Sequence, residues 1–174
     1  LQDLLLTYTK PKLDTSTAKN FIYSNFSIHT NSKHRQQVQD YIGGVTNINS
    51  SSRKSASAFH EDILSHKITL CPVGNGLDTH RLWEVIYLNR VPLVIKSEQN
   101  ARQGFCGDLP NYKNYSIYDK LYKELPIILL DELEQLKDVN LINSLYEQAK
   151  TKCDQMAYFS YWKDVILSEF KNFN

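Results

Sequence analysis

The chain has 174 residues, 41% of them hydrophobic and 22% charged, with a formal net charge of +1. This length suits one domain with a sizeable core, and the near-neutral charge gives no reason to expect nucleic acid as a partner. No apolar run approaches the roughly 20 residues that a membrane-spanning helix needs, and no signal peptide is visible. Because the chain begins at Leu1 rather than Met, we expect it to be part of a longer protein.

Three widely spaced cysteines, Cys71, Cys106 and Cys153, form no Cys-x-x-Cys pair. An odd number of cysteines favours a reducing compartment. We therefore expect a cytoplasmic location, with membrane association only through parts absent from this chain. The histidines share no metal-ligand spacing with neighbouring acidic residues, so we expect no structural metal.

The amino-terminal residues 1–19 differ from the rest of the chain. Turn signals such as Lys10-Pro11-Lys12 predict a connector there, with an edge strand of the sheet as the alternative. In residues 20–174, strand patterns alternate with helix patterns. The prediction is one α/β domain of three layers, Rossmann-like, with a mainly parallel sheet.

The first strand–loop–helix unit opens this domain. The aromatic and β-branched run Phe21–Ile28 predicts a strand, and a helix from about Lys33 to Tyr41 follows, capped by Asn31 or Ser32. Arg35 lies in the first turns of this helix, where it can reach a phosphate. The alternative for Arg35 is an ordinary charge on a solvated helix face.

The next stretch carries fewer functional signals. The Asn- and Ser-rich segment Asn47–Ser57 predicts a polar loop. After it, Ser57–His66 predicts a short helix with Phe59, Ile63 and Leu64 facing inward.

A strand and a glycine loop form the most informative part of the chain. The apolar run Ile68–Leu70 predicts a buried strand, and Pro72 ends its hydrogen-bond ladder. Gly74 and Gly76 then give a loop that can take positive φ and let a backbone or a ligand approach closely.

A helix follows the glycine loop, with Asp78 or Thr79 as its N-cap and an end near Leu88. The first N–H groups of a helix lack partners and its dipole is positive there, so this junction can bind an anion. Val91–Ile95 is the next apolar strand. The unit is therefore βαβ, and its right-handed crossover puts the loop at the carboxyl end of a parallel sheet.

Three polar side chains project from the start of this helix. Arg81 can pair with a phosphate through its planar fork, and Glu84 can accept hydrogen bonds from ribose hydroxyls. His80 lies one turn before Glu84. The alternative is a surface pair between Arg81 and Glu84, with His80 as a cap or a packed side chain.

The carboxyl-terminal part predicts one more strand, Ile127–Leu130. The carboxylates of Asp131-Glu132 follow it and can either meet ribose hydroxyls or cap the turn Leu133–Lys137, and we prefer the cap. Two helices are predicted after the turn, Val139–Met156 and Tyr158–Phe173.

The segment Cys71–Glu84 reads Cys-Pro-Val-Gly-Asn-Gly-Leu-Asp-Thr-His-Arg-Leu-Trp-Glu. It resembles the donor-domain signature of exostosin-like glycosyltransferases. Asn25-Phe26-Ser27, with Thr30 and Arg35 after it, resembles the start of that family's second domain. Leu125–Asp131 resembles a further strand of the family. Val73 stands where the family often has Arg.

The resemblance implies the donor-binding half of a two-domain glycosyltransferase of the GT-B architecture, a hexosyl- or pentosyltransferase. Its donor would be a nucleotide-sugar, with a UDP-sugar expected, and its acceptor a glycan or another hydroxyl compound. The resemblance also implies that an amino-terminal acceptor domain is missing from this chain, that the fragment is inactive alone, and that neither a metal nor a cofactor takes part.

Residue roles carry over from the same resemblance. The diphosphate would meet the glycine loop and the helix start, which comprise Gly74, Asn75, Gly76, Asp78 and Thr79. Arg35 would neutralise phosphate and Glu84 would hold ribose. Arg81 and His80 are the expected catalytic residues.

A second hypothesis belongs to another functional class. The chain can be a non-catalytic α/β interaction module that keeps a degenerate signature. It would then bind a partner through the aromatic stripe of its last helix, formed by Phe159, Trp162, Ile166 and Phe170.

Overall fold

The computed structural model describes residues 18, 20–45, 48–50, 55–74, 79–96, 122–123, 125–152, 163–164 and 167–168. Outside these residues lie nearly all of the predicted connector, the four residues 75–78 of the glycine loop region (among them Asn75, Gly76 and Asp78) and most of the predicted last helix. The division into a connector and a domain stays a prediction.

Five strands in the described part of the chain form one sheet: β1 (Asn20–Ser24), β2 (Ile48–Ser50), β3 (His66–Leu70), β4 (Val91–Ile95) and β5 (Ile128–Leu130). Their order is β2-β1-β3-β4-β5, and every neighbouring pair is parallel. This arrangement confirms the predicted Rossmann-like α/β fold with a parallel sheet.

The described helices are α1 (Ser32–Ile42), α2 (Ala56–Ser65), α3 (His80–Tyr87) and α4 (Val139–Lys150), with a 3-10 helix (Leu133–Lys137) before α4. Buried side chains of α1 and α4 pack with one face of the sheet, and those of α2 and α3 pack with the other. The domain therefore has three layers. None of the described helices combines the length and the apolar character needed to span a membrane.

Two predictions near the start of the domain are wrong in part. β1 ends at Ser24 rather than at Ile28, and the predicted loop Asn47–Ser57 contains the short strand β2. β2 forms because its backbone pairs with β1 in a parallel ladder, with Ile48 opposite Ile22. Backbone pairing to an existing strand thus decides the conformation of a segment with weak strand propensity of its own.

Of the two acidic residues that follow β5, Glu132 lies at the preferred N-cap position of the 3-10 helix. The Gln135 side-chain oxygen Oε1 accepts hydrogen bonds from the backbone N–H groups of Asp131 and Glu132, at 2.8 and 3.0 Å. The Asp131 carboxylate also pairs with Lys96 Nζ at 2.8 Å. In α4 the buried positions are Ile142, Tyr146 and Ala149.

The strand order creates a crevice at the carboxyl edge of the sheet. β1 and β3 are neighbours, with Ser24 opposite Leu70 at their carboxyl ends. The chain leaves β1 towards β2 and leaves β3 towards β4, in opposite directions across the sheet. A place where two neighbouring strands continue in opposite directions is called a topological switch point. The loops that follow the two strands separate there, and open α/β sheets bind their ligands between these loops.

Candidate functional site

Two loops and two helix starts surround the switch point. The loop after β1 runs from Asn25 to Asn31 and leads into α1, and the loop after β3 begins at Cys71 and leads into α3. Both helices therefore direct their N-termini, with their positive dipole ends, towards this edge of the sheet.

Local sequence explains how α3 begins. The Thr79 side-chain oxygen accepts a hydrogen bond from the Leu82 backbone N–H at 3.3 Å, which confirms Thr79 as the N-cap. Leu82, Val85 and Ile86 recur at helical spacing and are buried against the sheet. The polar side of α3 consequently turns away from the sheet, and His80 is exposed at its first position.

Arg35 connects the two loops through backbone carbonyls. Its Nε donates to the Val73 oxygen at 3.0 Å, one terminal nitrogen donates to Ser27 at 2.7 Å, and the other donates to Pro72 at 3.0 Å. The residue is only 8% exposed. Its guanidinium therefore stabilises the shape of the crevice, and the expected phosphate contact stays a prediction.

Asn31 and Gly74 complete this junction between the loops. Asn31 has φ 79° and precedes α1, but its side chain donates to the Gly74 carbonyl at 3.1 Å instead of capping the helix. Asn31 thus lies at the predicted N-cap position but makes no side-chain capping hydrogen bond. Gly74 itself does not have positive φ. A Cβ there would lie 3.2 Å from the terminal nitrogen of Arg35, so close packing explains the glycine.

Arg81 extends from α3 towards the loop after β1. One terminal nitrogen donates to the Asn25 carbonyl, and the guanidinium lies 3.7 Å from the centroid of the Phe59 ring. Its Nε is 3.4 Å from Glu84 Oε2, an ion pair. This Nε is buried and has hydrogen-bond geometry to no described residue. The surface pair foreseen for Arg81 and Glu84 therefore exists, and it leaves a guanidinium donor unsatisfied.

The charges of the site act on one another and on Cys71. Burial and, secondarily, the positive charge of Arg81 lower the pKa of Arg35. Burial raises the pKa of the Cys71 thiol to about 12; Arg81 and Arg35 oppose this rise and Glu84 adds to it. Cys71 is therefore a neutral thiol at physiological pH, and the two arginines are close enough to repel each other.

The structure brings together five of the residues predicted for the site: Arg35, Gly74, Thr79, Arg81 and Glu84. It shows no contact that would give His80 a role, and Asn75, Gly76 and Asp78 lie outside the described residues. Among the described residues, no group of three or more His, Cys, Asp or Glu could hold a metal ion.

Sequence reasoning missed part of what supports the site. It treated Phe59 only as a core residue, and it gave no role to Tyr23 or Asp62, which are hydrogen-bonded next to the crevice. Helical spacing signals that Phe59 is buried, but it carries no information about a cation stacked on the ring.

Comparison with known proteins gives one family. No curated protein is similar enough to the chain to count as a match. A family model described as the RXYLT1 C-terminal domain matches residues 19–172, nearly the whole chain. The chain therefore belongs to the RXYLT1 C-terminal domain family, an exostosin-like xylosyltransferase family, and is a glycosyltransferase-related domain.

Proposed function

We propose that the chain binds the diphosphate of a nucleotide-sugar, with a UDP-sugar as the expected donor, as the donor half of a GT-B glycosyltransferase. One observation carries this proposal. The guanidinium groups of Arg35 and Arg81 both reach carbonyls of the loop after β1, those of Ser27 and Asn25, at the switch point of the sheet. Two like charges held in a crevice favour an anion between or beside them.

The surroundings of the two arginines support a diphosphate. The N-termini of α1 and α3 add their positive dipole ends at the same edge, and both helices have orphan backbone N–H groups in their first turns. Glu84 is the carboxylate paired with Arg81, and its side chain is 43% exposed. A carboxylate so placed can accept hydrogen bonds from ribose hydroxyls while it remains near Arg81.

The chemistry that follows is stabilisation of the leaving group. Negative charge grows on the diphosphate as the glycosidic bond breaks, and preorganised arginines and backbone N–H groups lower the energy of that charge. In this proposal Arg81 and His80 lie at the reacting end, and metal is not needed because the arginines supply the positive charge. The acceptor and the base that deprotonates it come from an acceptor domain outside this chain.

A second candidate function is a non-catalytic interaction module. It is favoured by the observation that Arg35 satisfies three carbonyls and Arg81 pairs with Glu84, contacts that serve the fold without a ligand. The two candidates differ in what the loss of Arg81 does. A donor site loses nucleotide affinity with the fold intact, whereas a structural motif loses stability and never binds nucleotide.

The test is a calorimetric titration of the chain with UDP and then GDP, with and without a divalent metal ion. We expect saturable UDP binding that Arg81→Ala weakens by at least about tenfold, the size of a lost hydrogen bond to a charged group. Glu84→Ala should weaken binding as well. Lys152→Ala is the matched control, because it removes an exposed positive charge just beyond α4, a helix that contributes none of the predicted site residues.

The outcomes separate the candidates. UDP binding that is lost in Arg81→Ala, retained in Lys152→Ala and independent of metal supports the donor site. No nucleotide binding by a folded wild-type chain, together with lower thermal stability of Arg81→Ala, supports the interaction module instead.

A further inference from the structure

The Arg81 guanidinium is supported mainly by residues from outside its own helix. Phe59 of α2 places its ring face 3.7 Å from the guanidinium carbon, and the Asn25 carbonyl accepts a hydrogen bond from a terminal nitrogen. The contact within α3 is the 3.4 Å ion pair with Glu84. The position of the Arg81 charge is therefore decided by α2 and the loop after β1 as well as by α3.

A chain of hydrogen bonds connects these supports. The side-chain amide of Asn25 donates to the Tyr23 hydroxyl at 3.0 Å, and that hydroxyl donates to Asp62 Oδ2 at 2.8 Å. Asp62 lies on α2, one turn after Phe59. The Tyr23 and Phe59 rings are also neighbours, with centroids 6.0 Å apart. Helix α2 thus supports Arg81 in two ways, directly by a ring and indirectly through Tyr23 and Asn25.

Such support matters for an arginine that binds an anion. A free arginine side chain loses rotamer entropy when it binds an anion, and a guanidinium already held in place loses less. Attraction between a cation and an aromatic face grows when water is excluded, and the Phe59 ring is buried here. The ring also leaves the edge donors of the guanidinium available, because it occupies only a face.

We infer that Phe59 and Tyr23 are positioning residues of the nucleotide site, which hold the Arg81 guanidinium in the orientation that meets the diphosphate. This inference rests on the proposed function. It assigns a binding role to α2, a helix that contains none of the residues predicted for the site.

The experiment compares three variants of the chain by calorimetric titration with UDP and by thermal unfolding. Phe59→Leu removes the aromatic face, and we expect UDP affinity to fall about 3- to 10-fold, the size of a cation–π contact. Tyr23→Phe removes only the hydroxyl and should weaken binding about 2- to 5-fold, as expected for one hydrogen bond. Ile63→Val is the matched control, because Ile63 is buried on the same helix and packs in the same cluster.

A second readout follows Arg81 without any nucleotide. Heteronuclear NMR relaxation of its Nε–H group should show an ordered side chain in the wild type and in Ile63→Val, and a more mobile one in Phe59→Leu. A role limited to stability would leave this order unchanged. Tyr23→Phe serves as the test if Phe59→Leu does not fold.

The result that overturns the inference differs from the one that overturns the proposed function. If the wild type binds UDP and Arg81→Ala does not, but Phe59→Leu and Tyr23→Phe bind normally with Arg81 still ordered, the inference fails alone. An equal loss of affinity in Ile63→Val also counts against it. If the folded wild type binds no nucleotide, the proposed function fails, whatever the order of Arg81.

Discussion

Gly74 is a single residue at which close packing in the crevice leaves little room for a side chain. The position has ordinary backbone conformation, yet a Cβ there would lie 3.2 Å from an Arg35 nitrogen and 3.5 Å from methyl groups of Thr30 and Thr79. The nitrogen cannot move away freely, because it donates to the Pro72 carbonyl at 3.0 Å. The glycine is thus required by tertiary packing and not by its φ angle.

We predict that Gly74→Ala lowers the free energy of unfolding by about 1–3 kcal/mol, the usual result of overpacking a filled site. Urea denaturation at pH 7 measures the change. Gly44→Ala is the control: a Cβ at Gly44 would have the Tyr41 carbonyl, 3.9 Å away, as its nearest neighbour. Its stability should stay equal or rise by up to about 1 kcal/mol, because alanine restricts the unfolded chain. Equal stability of the two variants would contradict the close approach of Arg35 to Gly74.

Residues also differ in how far their roles can be predicted from sequence. The N-cap of α3 is predictable from sequence as Asp78 or Thr79, because a capping side chain bonds a neighbour such as Leu82, three positions after Thr79. The partners of Arg35 in the second loop are 37 and 38 positions away, so no local pattern reveals them. The sequence could suggest that Arg35 lies near a phosphate, but not that its guanidinium would donate hydrogen bonds to backbone carbonyls.

At the scale of elements, α1 has a feature that makes its stability depend on pH. His34 is buried beside Arg35, and its Nε2 has no hydrogen-bond partner among the described residues. Burial, with the positive charge of Arg35 as a second cause, lowers the pKa of His34 below its usual value of 6.5. The folded protein therefore takes up this proton less readily than the unfolded chain does.

The sign of the effect on stability follows from linkage. The contribution of His34 is fully present above the unfolded-state pKa of about 6.5 and is lost as the pH falls below that value. For one group the loss is at most about 1.4 kcal/mol per pH unit. We predict that the wild type loses more stability between pH 7.5 and pH 5.5 than His34→Gln does.

Urea denaturation of both proteins at the two pH values measures this difference. Lys33→Gln, an exposed substitution on the same helix, should keep the pH dependence of the wild type. Identical pH profiles for His34→Gln and the wild type would show that His34 is not responsible.

On the scale of the whole molecule, a ligand at the switch point contacts loops that follow two central strands. Binding there should stabilise the entire fold, because β1 and β3 carry helices on both faces of the sheet. A ligand at 100 times its dissociation constant stabilises the folded state by about 2.7 kcal/mol. For a chain of this length we predict a rise in melting temperature of about 5–10 °C.

A thermal unfolding series with UDP and with uridine tests this prediction. Uridine has no phosphates to meet Arg81, so at equal concentration it should raise the melting temperature much less. A rise with uridine as large as that with UDP would show that the diphosphate is not what the site recognises.

The sequence alone determined the α/β architecture, the position of α3 after the glycine loop and the family signature. Each of these depends on neighbouring residues: apolar runs for β3 and β4, helical spacing for Leu82, Val85 and Ile86, and a capping threonine. Hydrophobic periodicity and capping act over a few positions, and for that reason they can be read without the fold.

Only the tertiary structure decided how the two arginines are used and which residues support them. The parallel pairing of β1 with β3 brings the loops after them together, and this allows Arg35 to bond carbonyls of both loops. Stacking of Arg81 on Phe59 depends likewise on how α2 and α3 pack on one face of the sheet. Guanidinium donors bind whichever carbonyls and rings the fold brings within reach, and those partners lie far away in the sequence.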